Sequence, residues 1–373
     1  MRTVSRHGWR RLWRFLVFPL AAWSIWRVAQ GLIVWFWGGD PVSVVMQWDG
    51  GWYEWILDHG YEYRPDMGVQ QPIAFFPFVS WVTWLAEFAV GRRAVAIGIV
   101  TLVGSAASVV AVYGCARAWR GERVARWAVV FMLVFPVSFF LWSFYTEAIF
   151  IAASAGAFWA HRRGNHGIAA VLAAIAAMTR VFGLLVGVIL IGLRLFGDKR
   201  PDRVAVWYLL GALAFIPVLV VQWIQWGDPF AFVGAQYGWG RELSAPWVPV
   251  RTHLGWVPHT GIGEYRWAAL LDLVLFATAL FCALYAAYPR RRRRERNWPP
   301  ESWIWILVMI LPPLFTTIFV SMSRFTLAAW PMFVVLAVLA VRVHPVFRIA
   351  VLAVSGVVSV VLLEWVARGI YIA

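Results

Sequence analysis

The chain has 373 residues, 62% hydrophobic and 14% charged, with a mean hydropathy of +0.71. Its repeated apolar runs of about 16–25 residues exclude a water-soluble enzyme and read as transmembrane helices, so the fold class is an all-α polytopic membrane protein. The formal charge of +15 sits in short arginine clusters between those runs, the pattern of cytoplasmic loops, which argues against a nucleic-acid partner.

In chain order, residues 2–14 are basic and precede an apolar run at 15–37 that is too long for a cleaved signal. That run reads as a first helix with its N-terminus in the cytoplasm. A first external segment, 38–93, follows. Within it, residues 47–78, QWDGGWYEWILDHGYEYRPDMGVQQPIAFFPF, carry Asp49, Glu54, Asp58, Glu62 and Asp66; with Asp40 these are six of the 18 acids in the chain. Two assignments compete for 73–90: a span, or a helix lying along the outer surface. The second keeps the later basic loops on the cytoplasmic side and is adopted here. Further spans are then expected at 94–116, 127–142, 148–160, 167–178, 181–196, 204–224, 268–288, 303–320, 325–341 and 346–365, eleven in all.

The turns between these spans alternate in character. Arg117, Arg120, Arg123 and Arg126, then HRRGNH at 161–166, then Arg194, Lys199, Arg200 and Arg203, mark the cytoplasmic side. Arg290 to Arg294 with Arg296 form the densest basic run and read as an anchor against anionic lipid. The second external segment, 225–266, holds too many large aromatics for a linker and reads as a folded loop. With no internal repeat or inverted pseudo-symmetry, residues 1–373 read as a single integral-membrane domain. Pro136, Pro217, Pro312 and Pro313 are expected to kink helices. Cys115 and Cys282 both fall inside spans, which supports neither a disulfide framework nor a thiolate metal site.

A series of short motifs gives the chain a family resemblance. Trp48-Asp49, then an aromatic and an acid, then HGY at 59–61 and AFFP at 74–77, resemble the first lumenal loop of the PIG-V type mannosyltransferases. That family belongs to the GT-C class of integral-membrane glycosyltransferases. FYTEAIF (144–150), TRVFG (179–183), QWGDPFAFVGAQYGW (225–239) and SRF (323–325) follow in the matching order, so the resemblance covers most of the chain. Each motif alone is weak; their order is the specific signal. The resemblance implies a GT-C-like bundle with juxtamembrane helices in the first external loop. It also implies transfer of mannose from a polyprenyl-phosphate donor to a lipid or glycolipid acceptor on the extracytoplasmic face. Arabinose or glucose would use the same machinery. The long lumenal insertions of many eukaryotic relatives are lacking, so an acceptor lipid, glycolipid or glycan of a bacterial envelope is expected rather than the glycosylphosphatidylinositol precursor.

Carried onto this chain, the family's first-loop aspartate is Asp49, which would deprotonate the acceptor hydroxyl. The plain alternative is an acid capping a helix or pairing with Arg64. Glu147 matches the acid of the YTE motif and lies where a span meets the outside; its alternative is a structural pair with Arg180. Arg180 and Arg324 stand at external helix ends, where a guanidinium can grip a donor phosphate with two parallel hydrogen bonds. Trp48, Trp52, Tyr53, His59 and Tyr61 would line the substrate, their rings able to stack on a sugar or headgroup. Gln236 and Trp239 resemble the family's AQ-x-x-W region, a wall of the acceptor pocket. Asp228 belongs to the same stretch, although a tight turn suits it equally. Glu54 and Asp58, four residues apart, read as a solvated helix face, and Asp272 is an intramembrane acid without an assigned role.

No Walker loop, GxGxxG fingerprint or nucleotide-sugar DxD pattern occurs, which favours a lipid-linked donor. His59, His253 and His259 lack ligand spacing, so no metal site is expected from them. No cofactor is required, and a divalent metal is compatible with the chemistry if Asp49 and Glu147 converge, but not demanded by it. The rival class is a transporter or flippase for a lipid-linked sugar, which would need ionisable groups in midmembrane. In this chain the acids gather at one face.

Overall fold

Apolar runs bounded by arginine make the long helices here; some prolines end a helix, as at Pro312, while others, such as Pro19 in the first helix, lie inside one. The computed structural model describes residues 6–65, 68–197, 202–259, 263–289 and 297–370. Arg2, Asp66, Lys199, Arg200, the basic run 290–296 and the side chain of His259 lie outside the described residues.

Helix α1 (Arg6–Phe36) leads to two short helices, α2 (Pro41–Val45) and α3 (Asp49–His59), and then to α4 (Phe78–Val90). The sharply antiparallel set α5 (Arg93–Arg120), α6 (Glu122–Leu133), α7 (Glu147–Arg162), α8 (His166–Thr179) and α9 (Leu184–Gly192) follows. Next come α10 (Arg203–Leu213), α11 (Ile216–Trp226), the short α12 (Ala231–Gly234), α13 (Val248–His259) and α14 (Gly263–Ala287). The chain finishes with α15 (Pro300–Ile310), α16 (Met322–Ala328), α17 (Pro331–Ala340) and α18 (Pro345–Ala367). Among the described residues the only β pairing is an isolated bridge between Leu243 and Thr316.

Among the described residues five helical stretches are long and apolar enough to cross a bilayer: Arg10–Phe36, Arg93–Arg120, Arg203–Trp226, Arg266–Ala287 and Pro345–Ala367. Helices α16 and α17 make a sixth if they are taken together, although they bend by 76° at the break. The protein is therefore a multi-pass membrane protein, with fewer full-length spans than the eleven expected. The physical reason is visible in the breaks. The run 127–142 stops being α-helical at Leu133, before Pro136, and continues as a 3-10 turn over Ser138–Leu141. The run 303–320 ends at Ile310, and Pro312 and Pro313 turn the chain. Helix α4, with 13 residues, is about 20 Å long at 1.5 Å per residue, short of the roughly 30 Å hydrocarbon core.

The α16–α17 break interrupts the backbone ladder inside apolar surroundings; the Trp305 indole takes up one freed carbonyl, and the indole of Trp330, at the break itself, is satisfied from α7. Trp305 Nε1 donates to the Ala328 carbonyl at 3.1 Å, and Trp330 Nε1 donates to Ser154 Oγ at 3.2 Å. The core lies between α5, α6, α7, α15 and α17, where Trp305, Trp330, Phe139, Phe150, Phe158 and Phe333 are fully buried. Close helix approach relies on small residues: a Cβ on Gly211 of α10 would stand 2.8 Å from the Ala170 carbonyl of α8.

The tightest approach is at Gly183, just after Arg180, where an added Cβ would sit 1.8 Å from the Ala176 carbonyl oxygen. Gly183→Ala must displace backbone and should cost roughly 1–3 kcal/mol or more. Gly192→Ala, with nothing within 4 Å, should be neutral or slightly stabilising. Thermal unfolding of the two variants in detergent checks the contrast; equal melting temperatures would show that the 176–183 turn is not packed as described.

Candidate functional site

The segment after α1 is pinned to the bundle by residues of the FYTE motif. Asp40 caps α2, its carboxylate accepting from the Val42 and Ser43 amides at 3.0 and 3.1 Å. The Phe144 amide then donates to the Val45 carbonyl at 2.8 Å. Tyr145 Oη donates to the Gln47 carbonyl at 2.8 Å and accepts from the Asp49 amide at 3.0 Å. Between those two anchored residues Trp48 takes φ +50°, a conformation that disfavours a bulky side chain and costs of order 1–3 kcal/mol. Gly50 follows, where a Cβ would come within 3.2 Å of the Val45 carbonyl.

This strap delivers Asp49 to a buried cluster of four charges. Glu147, the first residue of α7, is fully buried, and the positive end of the helix dipole favours its charge. Arg180, just past α8, donates from Nε to Thr146 Oγ1 at 2.7 Å and from Nη2 to Glu147 Oε1 at 2.5 Å. Arg324 of α16 donates from Nε to the same Glu147 oxygen at 2.7 Å and from Nη1 to Asp49 Oδ2 at 2.5 Å. Its guanidinium also lies 4.6 Å from the Tyr145 ring centroid. Two acids balance two arginines, which makes burial tolerable; removing one partner would leave an uncompensated charge at about 3–5 kcal/mol. Two buried polar atoms of the cluster have no hydrogen-bond partner among the described residues: Arg180 Nη1 and Glu147 Oε2.

An aromatic wall is built from the segments 47–78 and 225–239. Trp52 stacks on Phe75 at 5.9 Å and meets the edge of Trp239 at 6.0 Å, while Phe75 and Trp239 lie 5.6 Å apart. Tyr53 is buried against Phe75 and Phe144. Burial pushes its phenol above the ordinary range, and the charges of Asp49, Arg180, Glu147 and Arg324 all act on it. Tyr61 Oη donates to the Phe75 carbonyl at 2.9 Å, so it supports the wall from behind. Gln236 accepts from Arg241, which in turn donates to Ser321 at the start of α16.

The other expected site residues lie apart from the cluster. His59 is exposed at the far end of α3, stacked on Trp55 at 4.1 Å. Asp228 accepts the Phe230 amide at 2.8 Å, the tight-turn role. Asp58 pairs with Arg93, which also holds Glu87. Asp49 pairs with Arg324, not with Arg64.

Some contributors were not singled out from sequence. Tyr145 and Thr146 stand inside the FYTE motif beside Glu147, and that position was their only signal. Asp272, the unassigned intramembrane acid, accepts the Ser323 amide at 2.7 Å and so fixes the start of α16 beside Arg324. His253 Nε2 lies 3.7 Å from Asp272 Oδ2. Among the described residues no three His, Cys, Asp or Glu side chains converge on a metal-sized site. The two carboxylates that do converge share the Arg324 guanidinium, with which a divalent cation would compete.

Tyr145→Phe removes one acceptor and one donor, and leaving the Asp49 amide and Gln47 carbonyl without them should destabilise the protein by about 1–3 kcal/mol; unchanged melting would mean that the strap carries no load. His253 supplies a pH test. Burial lowers its imidazole to about 4, whereas the unfolded side chain titrates near 6.5. Between those values the unfolded His253 binds a proton that the folded one refuses, so the stability this residue contributes is lost as pH drops from about 6.5 to 4. His253→Gln should flatten that slope in pH-dependent unfolding; an unaltered slope would place the titration elsewhere.

No protein-family model matches the chain, and no curated protein matches it. The PIG-V resemblance therefore rests on the motifs. Solved structures do match. The Archaeoglobus fulgidus oligosaccharyltransferase in its apo form superposes with a TM-score of 0.54 at 14% identity, over 98% of this chain and 57% of that one. The same enzyme tethered to an acceptor peptide with an NVT sequon gives 0.51 at 14% identity, over 97% and 56%. ArnT from Cupriavidus metallidurans bound to undecaprenyl phosphate is more distant, at 0.42 and 13% identity over 98% and 78%. The chain spans little more than half the length of the archaeal enzyme. What the likeness establishes is the fold, a helical bundle of the GT-C type.

Proposed function

We propose that this protein is a glycosyltransferase that moves a sugar from a polyprenyl-phosphate donor to a lipid or glycolipid acceptor, with Asp49 as general base. The observation that carries this reading is the convergence of Asp49, Glu147, Arg180 and Arg324, each from a different motif of the ordered series, in one buried cluster. Arg324 and Asp49 meet across 275 residues of sequence. The name of the archaeal neighbour, an oligosaccharyltransferase, supports a transferase on this fold, but fold does not set substrate. Mannose follows from the motif resemblance.

In this scheme Asp49 Oδ1, the oxygen not engaged by Arg324, takes the acceptor hydroxyl proton as the hydroxyl oxygen attacks the anomeric carbon. The bond from that carbon to the phosphate oxygen breaks, and the polyprenyl phosphate leaves with the electron pair. Arg180, whose Nη1 is buried without a partner, meets the phosphate. Arg324 spends Nε and Nη1 on the two carboxylates, so it chiefly orients Asp49 and Glu147. Trp52, Phe75 and Trp239 form a stacking face for the sugar or acceptor. We place the cluster on the extracytoplasmic face, with loops 38–93 and 225–266 and a cytoplasmic N-terminus, because Arg117, Arg120, Arg123, Arg126, Arg162 and Arg163 gather at the opposite helix ends.

The test is transfer of radiolabelled sugar from synthetic polyprenyl-phosphate-mannose to a membrane lipid extract by purified protein. Asp49→Asn should lower the rate about 10²–10⁴-fold, and Arg180→Gln should raise the donor KM. Equal transfer by wild type and Asp49→Asn would move the base elsewhere. No transfer by either, with flipping of labelled lipid intact, would favour a transporter.

A further inference from the structure

At the end of the bundle away from the four-charge cluster, a groove of about 1160 Å³ opens between α1, α5, α6 and α7. Along α5, Arg117 is about 36 Å from Arg93, which holds Asp58 and Glu87 of the acidic segment, and along α7 Arg163 is about 24 Å from Glu147. The groove therefore lies at the far membrane boundary from the candidate site. Its floor is apolar: Phe15 stacks on Trp159 at 5.3 Å, with Leu16 and Val110 alongside. A glycine makes that floor, since a Cβ on Gly114 would stand 2.7 Å from the Trp159 ring.

Its rim is strongly basic. Arg11, Arg14, Arg117, Arg126 and Arg163 line it with a single acid, Glu122. Arg117 and Arg126 both pair with Glu122 at 2.9 Å. Arg11, Arg14 and Arg163 have no carboxylate partner among the described residues, so the rim keeps a surplus of four positive charges. A solvated protein face would spread such charge; here it crowns an apolar trough at the ends of two membrane-length helices, α1 and α5.

We propose that this groove binds an anionic phospholipid, its phosphate among Arg14, Arg163 and their neighbours and its acyl chains along Phe15, Leu16 and Trp159. The charge complementarity selects an anion, and the apolar floor at the bilayer boundary selects a lipid over a free phosphate. A lipid seated there joins α1 to α5 and α7. Helix α1 has surface free for such a contact, since 17% of its apolar window is buried within the protein.

The experiment is native mass spectrometry of the purified full chain in neutral detergent, titrated with phosphatidylglycerol, phosphatidylcholine or inorganic phosphate. Phosphatidylglycerol should be retained selectively, and Arg14→Gln/Arg163→Gln should weaken it about 30-fold. Arg123→Gln/Arg203→Gln removes the same charge outside the groove and should change retention by less than about threefold. Equal loss in both double variants, equal retention of phosphatidylcholine, or displacement of the lipid by millimolar inorganic phosphate would each overturn the proposal. Because all four arginines are exposed, unchanged melting temperatures are expected in both variants, and a variant that melts early is replaced by its Arg→Lys counterpart, which should retain the lipid.

Discussion

Arg324 is held by two carboxylates, and this one pairing ties three distant stretches of the chain together. A guanidinium buried among Phe140 and Tyr145 needs compensating charge, and Asp49 and Glu147 are the two groups that supply it. Each comes from a different part of the chain, so the start of α3, the start of α7 and the start of α16 are locked into one geometry. Arg180 then balances Glu147 and closes the set. Buried ionic groups of this kind stabilise little compared with well-packed apolar residues, yet they tolerate no missing member. That intolerance makes the cluster a specifier of arrangement.

Around the cluster the backbone departs from regular geometry wherever it must bring a charge inward. Trp48 adopts a positive φ between two residues held by Tyr145, and Ser321 adopts φ +71° at the head of α16. Asp272 grips that same head through the Ser323 amide. Strain is thus placed next to anchors strong enough to hold it. The bend of 76° between α16 and α17 has a similar logic: it aims Arg324 at the other charges, while Trp305 and Trp330 satisfy groups at the break.

The two ends of the bundle differ in kind. One pairs two acids with two arginines beside an aromatic wall. The other is an arginine-rimmed trough over an apolar floor. Helices α5 and α7 run between them, with glycines of α5 packed against α7 side chains. Both ends depend on the same close α5–α7 contact.

Composition alone settles the membrane class, because a chain 62% hydrophobic and 14% charged, arranged in long apolar runs, has too little polar surface to face water. The ordered motifs also place Asp49, Glu147, Arg180 and Arg324 among the candidates, helped by the cost of ionisable residues at the ends of apolar runs. Tertiary structure decided the rest. Arg324 turned out to bridge two acids, Asp272 to hold a helix start, and His59 and Asp228 to stand apart, because pairing across tens to hundreds of residues leaves no local trace. The span count also needed the structure: apolar composition over 127–142 and 303–320 is blind to whether a proline ends the helix or merely bends it, and only the packing around Pro136 and Pro312 settles that choice.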